Sequence, residues 1–506
     1  MACTLNLVDT IPKISLTNVL LPASVSRSVN DHDTPVVSRG RRRLGCRKFL
    51  RRAVFILILA FSGCRVQAAP PNIIFVLTDD QGYGDLSCNG NPVLKTPNLD
   101  KLQAESVRFT DFQVSPLCSP SRCALMTGRN EYRSGVSHTR GPGQRMSLQA
   151  TTIAQVLKSA GYTTGIFGKW HLGLEAPYHP SKRGFDEEFT FLTGMIGEYN
   201  HSTAINPILL HNGVNEKTSG YYTDVFFNQA MKWIAGVKGK QPFFAYIATG
   251  APHAPMKCPE EYEKIYADKV QDPKIAKYYG MIANIDDNVG RLVAQLKAWG
   301  IERDTLLVFI SDNGAVMNAP GLQGLSPAKV FNAGMSGGKN SAHEGGTRVP
   351  SFWRWPAGFK GGVDVDQLAS NIDFFPTVAE LAGAKIPGEL KLDGRSLVPL
   401  LKDPKAPWED RFIFIHTGNW GGTAADAKMK GFAVRSNQFR LVENGKLYDI
   451  KADRGEKKNV IAEHPDVAAK MRAAYDQYWA EVEPAVEENL KVTGAETGEG
   501  GKKNEE

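Results

Sequence analysis

Three stretches of this chain are almost wholly apolar: PNIIFVLT at 71–78, PFFAYIAT at 242–249 and TLLVFIS at 305–311. A strand with one wet face alternates polar and apolar residues; a strand covered on both faces does not. These runs therefore read as strands buried between helical layers, the arrangement of a mainly parallel sheet. YTTGIF at 162–167 reads as a fourth strand. Helical signals lie between them. Thr96-Pro97 opens a helix through Leu99, Leu102 and Ala104, 151–160 is stopped by Gly161, 220–237 has helical spacing, and 276–299 is closed by Gly300. Alternating strands and helices specify an α/β fold around one large sheet.

The chemistry gathers where these strands end. The first runs into Asp79-Asp80, and adjacent carboxylates at the tip of a buried strand repel one another unless a cation sits between them. The last runs into Asp312-Asn313-Gly314 and repeats the arrangement. Three carboxylates and an amide, with no imidazole or thiolate, are ligands for Ca²⁺ or Mg²⁺ rather than zinc. The strand at 162–167 delivers GKWHLG, in which Lys169 and His171, two apart, would point the same way from an extended segment and could bind an anion together. The run at 242–249 delivers APHAP, whose prolines fix the backbone around His253, as a positioned acid or base requires. Open α/β sheets bind ligands beyond the carboxyl ends of their strands. Each piece alone also fits a solvated turn. A Gly-rich loop presents Gly337-Gly338-Lys339, in which the lysine can meet an anion, followed by EGGTRVP from Glu344.

One further string decides between these readings. In Cys118-Ser-Pro-Ser-Arg122, continued by LMTGR at 125–129, Ser119 and Pro120 suit a helix start. Cys118 then lies just ahead of a helix N-terminus, where the dipole and Arg122 favour negative charge. C-S-P-S-R with L-M-T-G-R resembles the signature of the type I sulfatases, the formylglycine-dependent arylsulfatase family of the alkaline-phosphatase-like superfamily. The Asp79-Asp80 tip, GKWHLG, the Pro-flanked His253, SDNG at 311–314 and GGK before EGG occur in that family's order. Six pieces in order exceed chance.

The resemblance implies an alkaline-phosphatase-like α/β core with a large mixed sheet flanked by helices. It further implies a calcium held by Asp79, Asp80, Asp312 and Asn313 beside residue 118, and conversion of Cys118 to formylglycine by a transient formylglycine-generating enzyme. In the family's chemistry one hydroxyl of the hydrated aldehyde attacks sulfur and the second allows sulfate to be expelled. Arg122 would then hold the hydrate, Lys169 and Lys339 the sulfate oxygens, His253 would protonate the departing alcohol, and His171 would act as base. His138 and His343 lie near motif pieces without a role. The substrate implied is a sulfate monoester, on a sulfated carbohydrate or an aryl alcohol. Phosphonate monoester and phosphodiester hydrolases share the C-x-P-x-R nucleophile and stay open as an alternative, as does a non-catalytic sulfated-glycan binder. A membrane phosphoglycerol transferase of the same fold is disfavoured, since its nucleophile is Thr and it has several spans.

Residues 70–402 form the catalytic domain on this reading, with loops 178–217 and 318–333 shaping its pocket. After the helix at 372–382, Asp403-Pro-Lys-Ala-Pro407 reads as a linker. Short strands at 412–415, 431–435, 439–442 and 446–450, with a helix from 465 to about 482, make a small antiparallel α+β domain over 408–484. Residues 485–506 read as a disordered tail. Residues 1–69 read as an export leader, with a basic region at 41–52, an apolar stretch at 53–63 too short for a good membrane span, and a small-residue cleavage site at 66–68. Periplasmic or secreted location follows, with lipid attachment at Cys64 as the variant reading. The net charge of +7 is the leader's: residues 1–70 carry +8 and the remainder −1, so nucleic-acid binding gains no support. Past the leader only Cys88, Cys118, Cys123 and Cys258 remain, too few for a disulfide framework. Nothing in the sequence specifies an oligomer.

Overall fold

A computed structural model describes residues 70–319, 329–418 and 423–497. The leader at 1–69 with Cys64, residues 320–328 of the second pocket loop and residues 498–506 of the tail lie outside the described residues. The three apolar runs form the middle of a ten-stranded sheet, as Asn72–Thr78, Phe243–Ala248 and Thr305–Ser311. In spatial order the sheet runs Val363–Val365, Val107–Phe109, Ser351–Arg354, Thr305–Ser311, Asn72–Thr78, Phe243–Ala248, Thr163–Lys169, Glu187–Phe191, Ile208–His211, Val214–Lys217. Thr305–Ser311, Asn72–Thr78, Phe243–Ala248 and Thr163–Lys169 are neighbours and all parallel. Their carboxyl ends therefore share one edge. Ser351–Arg354 and Ile208–His211 pair antiparallel, so the sheet is mixed. The central strands are buried on both faces, which is why their sequences show no alternation.

Helix Pro273–Ala298 begins three residues ahead of the expected 276, because Asp272 accepts from Lys274 N and Pro273 occupies the first turn. The stretch 107–114 divides into two short strands, Val107–Phe109 and Phe112–Gln113, and the second pairs with Ala369–Ser370 in a separate two-stranded sheet. Among the described residues no helix is long and apolar enough to cross a membrane.

Towards the C-terminus, Ile413–His416, Phe432–Arg435, Phe439–Val442 and Lys446–Asp449 form an antiparallel sheet in that order. Its apolar face takes Met471, Tyr475, Trp479 and Val482 from a helix at Pro465–Thr497. That helix corrects the expected end near 482 and the disordered tail from 485. Val486 continues the buried stripe one turn past Val482, across Pro484, so the apolar face outweighs the one backbone hydrogen bond that proline removes.

This sheet reaches back to the Gly-rich loop through a buried charge cluster. Arg440 Nη2 lies 2.7 Å and Arg435 Nε 3.0 Å from Glu344 Oε1, and Arg348 Nη1 lies 3.2 Å from Glu344 Oε2. Arg435 also meets Asp111. Burial raises the Glu344 pKa, but Arg440, Arg435 and Arg348 outweigh it and hold the carboxyl far below the usual range. Glu344→Gln strands buried guanidinium charge and should cost about 3–5 kcal/mol in urea unfolding; a loss below about 1 kcal/mol would show that the cluster stabilises little. A depressed folded-state pKa gives stability that is present above the unfolded value, about 4.3, and lost as pH falls below it. Acid unfolding of the wild type should therefore begin near pH ~4–5, and Glu344→Gln should flatten that limb.

Candidate active site

Because four adjacent strands run the same way, four sequence motifs converge on one edge. Asp79 N donates to Ala251 O at 3.0 Å and Asp312 N to Thr78 O at 3.0 Å, so the ladder carries past the strand ends and fixes the tips side by side. Asp80 N donates to Asp312 Oδ1 at 3.1 Å, Gln81 N to Ser311 Oγ at 3.1 Å, and Asn313 Nδ2 to Asp80 Oδ1 at 2.8 Å. Gly168 has φ +111°, and a Cβ there would sit 2.0 Å from Ala248 O; its absence lets the strand bend into place before Lys169. The three carboxylates are fully or almost fully buried.

Each carboxylate has a cation. Lys169 Nζ lies 2.7 Å from Asp79 Oδ2, Lys339 Nζ 2.7 Å from Asp80 Oδ1, and Arg122 reaches Asp312 Oδ2 through Nη2 at 2.7 Å and Nε at 3.1 Å. Arg122 Nη1 also donates to Lys169 O at 3.1 Å. His253 Nε2 lies 3.6 Å from Asp80 Oδ2, while its Nδ1 donates to Ala254 O at 2.7 Å. Cys118 Sγ and one oxygen each of Asp79 and Asp312 lie within 4.8 Å of one another, as do ligand atoms of Asp79, Asp80 and His253.

Burial raises the Asp80 pKa, but Lys339, His253 and Lys169 prevail and hold it down at about 2. Asp312 moves the other way: burial, then Asp79 beside it, push it up to about 7 against Arg122 and Lys169. A divalent cation among these oxygens would hold all three carboxylates ionised. The donor set fits one. Asp79 Oδ1 and Asn313 Oδ1 are buried acceptors without a hydrogen-bond donor among the described residues, and such orphans are costly unless something positive meets them. All the donors other than residue 118 and His253 are hard oxygens, as Ca²⁺ or Mg²⁺ prefers.

Three expectations need correction. Cys118 is the first residue of the Cys118–Thr127 helix; the position before it is Leu117, and Ser119 Oγ has no hydrogen-bond partner among the described residues, so no serine caps this helix. Ser121 Oγ instead donates to Ser115 O at 2.8 Å. Charge at Cys118 is not favoured, since burial drives the thiol pKa up more than Lys169 and Lys339 bring it down, and Arg122 is spent on Asp312. Lys169 and His171 do not act as an extended pair, because His171 has φ +60° and its Nε2 lies 2.9 Å from Thr139 O. That carbonyl can only accept, so Nε2 carries the proton and the buried Nδ1, without a partner among the described residues, carries the lone pair. Burial first, then Lys169, depress the His171 pKa well below the usual range and keep the ring neutral. His343 Nδ1 meets Glu456 Oε1 at 3.0 Å, and His138 Nδ1 accepts from Arg140 N at 3.0 Å.

Tyr278 was not singled out by sequence. Its hydroxyl lies 2.9 Å from Asp80 O and 2.6 Å from Asp85 Oδ2, bracing the Asp79-Asp80 turn. Burial pushes Asp85 up to about 7 against that hydrogen bond. Tyr278 lies on the buried face of a long amphipathic helix, where its sequence context is that of any core tyrosine.

A family model described as "Sulfatase" matches residues 71–384, the whole span that carries this site. The chain belongs to the sulfatase family. A second model, "N-sulphoglucosamine sulphohydrolase, C-terminal", matches residues 338–480. N-acetylgalactosamine-6-sulfatase of Mus musculus is 34% identical over 390 residues, 72% of this chain and 72% of that protein. Arylsulfatase A of Homo sapiens is 31% identical over 458 residues, 80% of this chain and 86% of its own. Among solved structures, Ps i-CgsB in complex with k-i-k-neocarrahexaose superposes with a TM-score of 0.74 at 29% identity, covering 84% of this chain and 98% of that one. The sulfatase is thus a sulfuric ester hydrolase on the alkaline-phosphatase-like fold, its large mixed sheet accompanied by the C-terminal antiparallel sheet.

Proposed function

We propose that this sulfatase is exported and removes sulfate from sulfated carbohydrates, with Cys118 matured to formylglycine and Ca²⁺ held by Asp79, Asp80, Asp312, Asn313 and residue 118. The convergence of Cys118 with the three carboxylates and three cationic side chains at one sheet edge carries this reading. The carbohydrate class is supported by the N-acetylgalactosamine-6-sulfatase and the k-i-k-neocarrahexaose complex among the similar proteins. Export is supported by the basic and apolar leader. Formylglycine at 118 and the cation would supply the nucleophilic oxygen and the Lewis acid.

The chain's own residues supply the rest. Three cations against three carboxylates leave the buried cluster neutral; a divalent ion makes it positive, and an anionic sulfate ester is drawn in. Lys169 and Lys339 then have charge to turn towards sulfate oxygens. His171 Nδ1, bearing the lone pair of a neutral ring, is the atom that would take a proton in the base role. His253 Nε2 is the atom that would hand one to the departing alcohol. Arg122 holds Asp312 in register through two hydrogen bonds.

Peptide mass spectrometry across 117–122 tests maturation. We expect formylglycine in active protein made alongside a formylglycine-generating enzyme, and an active preparation carrying only unmodified Cys118 would refute it. A panel of defined sulfated oligosaccharides, including galactosamine 6-sulfates and carrageenan fragments, tests the substrate class. Sulfate release from at least one sugar should exceed that from a simple aryl sulfate in kcat/KM; turnover of aryl sulfates alone would overturn the carbohydrate reading.

A further inference from the structure

The opposite edge of the same sheet carries a cavity of about 790 Å³. Arg354 at its base lies opposite Leu307, near the start of the Thr305–Ser311 strand, whereas Asp312 follows the end of that strand. The seven-residue strand places the two sites roughly 20 Å apart. Helices Pro97–Ala104 and Pro273–Ala298 form the walls and are locked together: Asn98 donates to Asp286 through backbone and side chain, and a Cβ on Gly290 would lie 2.5 Å from Asn98. The walls are preformed, which lowers the cost of binding.

The charge in this cavity is uneven. Its two carboxylates, Glu105 and Glu302, are both engaged by the buried Arg354, at 2.8 Å and 2.5 Å. Lys101, Lys297 and Lys360 line the same cavity, are exposed, and form no ion pair among the described residues. Past residue 70 the chain carries −1 in total, so this surplus is local. Val293 and the half-buried Phe359 give an apolar floor between the lysines. Three spread ammonium groups around an apolar floor suit a ligand with repeated anionic groups on rings that have apolar C–H faces, more than they suit one small anion.

We propose that this cavity is a second binding site for sulfated polysaccharide. It seats one stretch of chain while another occupies the catalytic edge. The inference rests on the carbohydrate reading above. Its physical benefit is effective concentration: a chain held at the far edge makes the second encounter intramolecular. Small aryl sulfates, which cannot bridge the two edges, gain nothing from it.

The test compares wild-type protein with Lys101→Gln/Lys297→Gln/Lys360→Gln and with the corresponding triple glutamate variant. Dextran sulfate is the binding probe, with unsulfated dextran and double-stranded DNA as controls, and 4-nitrophenyl sulfate turnover reports on the catalytic edge. We expect the triple variants to bind dextran sulfate roughly tenfold or more weakly, the glutamate variant more so, with aryl sulfate kcat/KM unchanged. Wild-type binding should weaken with added salt. Dextran sulfate binding that survives both triple variants overturns the proposal. Equal affinity for DNA would make the patch a general polyanion surface and also overturns it. A parallel fall in aryl sulfate turnover would show a disturbed fold and count against it. Failure of the wild type to release sulfate from any sugar sulfate, while dextran sulfate binding still depends on the lysines, would sink the carbohydrate reading alone.

Discussion

Asp312→Ala is expected to remove the divalent cation and the activity together, with turnover down on the order of 10³-fold or more, since one misplaced electrostatic stabiliser already costs 10²–10³. Asp312 connects three parts of the site. Its Oδ1 accepts from Asp80 N at 3.1 Å, its Oδ2 takes both hydrogen bonds from Arg122, and one of its oxygens lies within 4.8 Å of Cys118 Sγ. Removing it leaves the buried Arg122 with Asp79, 3.9 Å away, as its nearest carboxylate among the described residues, so the protein should also lose about 3–5 kcal/mol. Asn313→Ala separates the two effects. It deletes the unpartnered Oδ1 and an amide bonded to Asp80 but leaves every ion pair intact. It should therefore lower metal content and activity with a much smaller change in unfolding free energy. Elemental analysis of both variants is the measurement. Full occupancy of a hard divalent ion in Asp312→Ala, or stoichiometric zinc in the wild type, would sink the assignment of these ligands.

What was legible in sequence follows a simple division. Asp79-Asp80, Asp312-Asn313, Lys169 and His253 could be placed because each directly follows an apolar run whose burial is written in its own composition, and parallel strands share a carboxyl edge. Which strand lies beside which is set by pairing between segments more than 200 residues apart, as Thr78 with Ser311 and Val107 with Val363, and no local pattern carries that. The same limit hid Glu344: its glycines and neighbours looked like a flexible loop, while Arg435 and Arg440 come from strands 91 and 96 residues later. Ser119 misled because Ser-Pro fits a helix start in general, but here burial places the cysteine itself at the first turn. His171 was read as extended, although a left-handed backbone after Trp170 turns its ring to Thr139. The lysines were read as ligands for an anion. In the protein they also neutralise the carboxylates that would otherwise repel one another.

That double role bears on the proton donor. His253 is neutral in the unliganded site: burial, then the charges of Lys339 and Lys169, pull its pKa to about 3 despite Asp80. Its Nδ1 proton goes to Ala254 O, leaving Nε2 as a lone pair towards the pocket. An anionic sulfate ester bound by both lysines would offset the charges of Lys339 and Lys169 that help depress the imidazole, and so would favour a second proton on it when substrate is present. In the proposed role the resulting imidazolium would donate from Nε2. A phenolate leaves readily without help, whereas a sugar alkoxide needs the proton. His253→Ala should therefore lower kcat/KM on a sugar sulfate by roughly 10² or more while sparing an activated aryl sulfate, and the slope of log kcat/KM against leaving-group pKa should steepen. Lys339→Ala should depress both substrates by similar factors, because the sulfate group it would bind is common to them. If His253→Ala lowers both rates equally, Nε2 binds sulfate or metal instead, and the proton must come from elsewhere. His171 is the least suited to supply it, since its only protonated nitrogen is already committed to the Thr139 carbonyl.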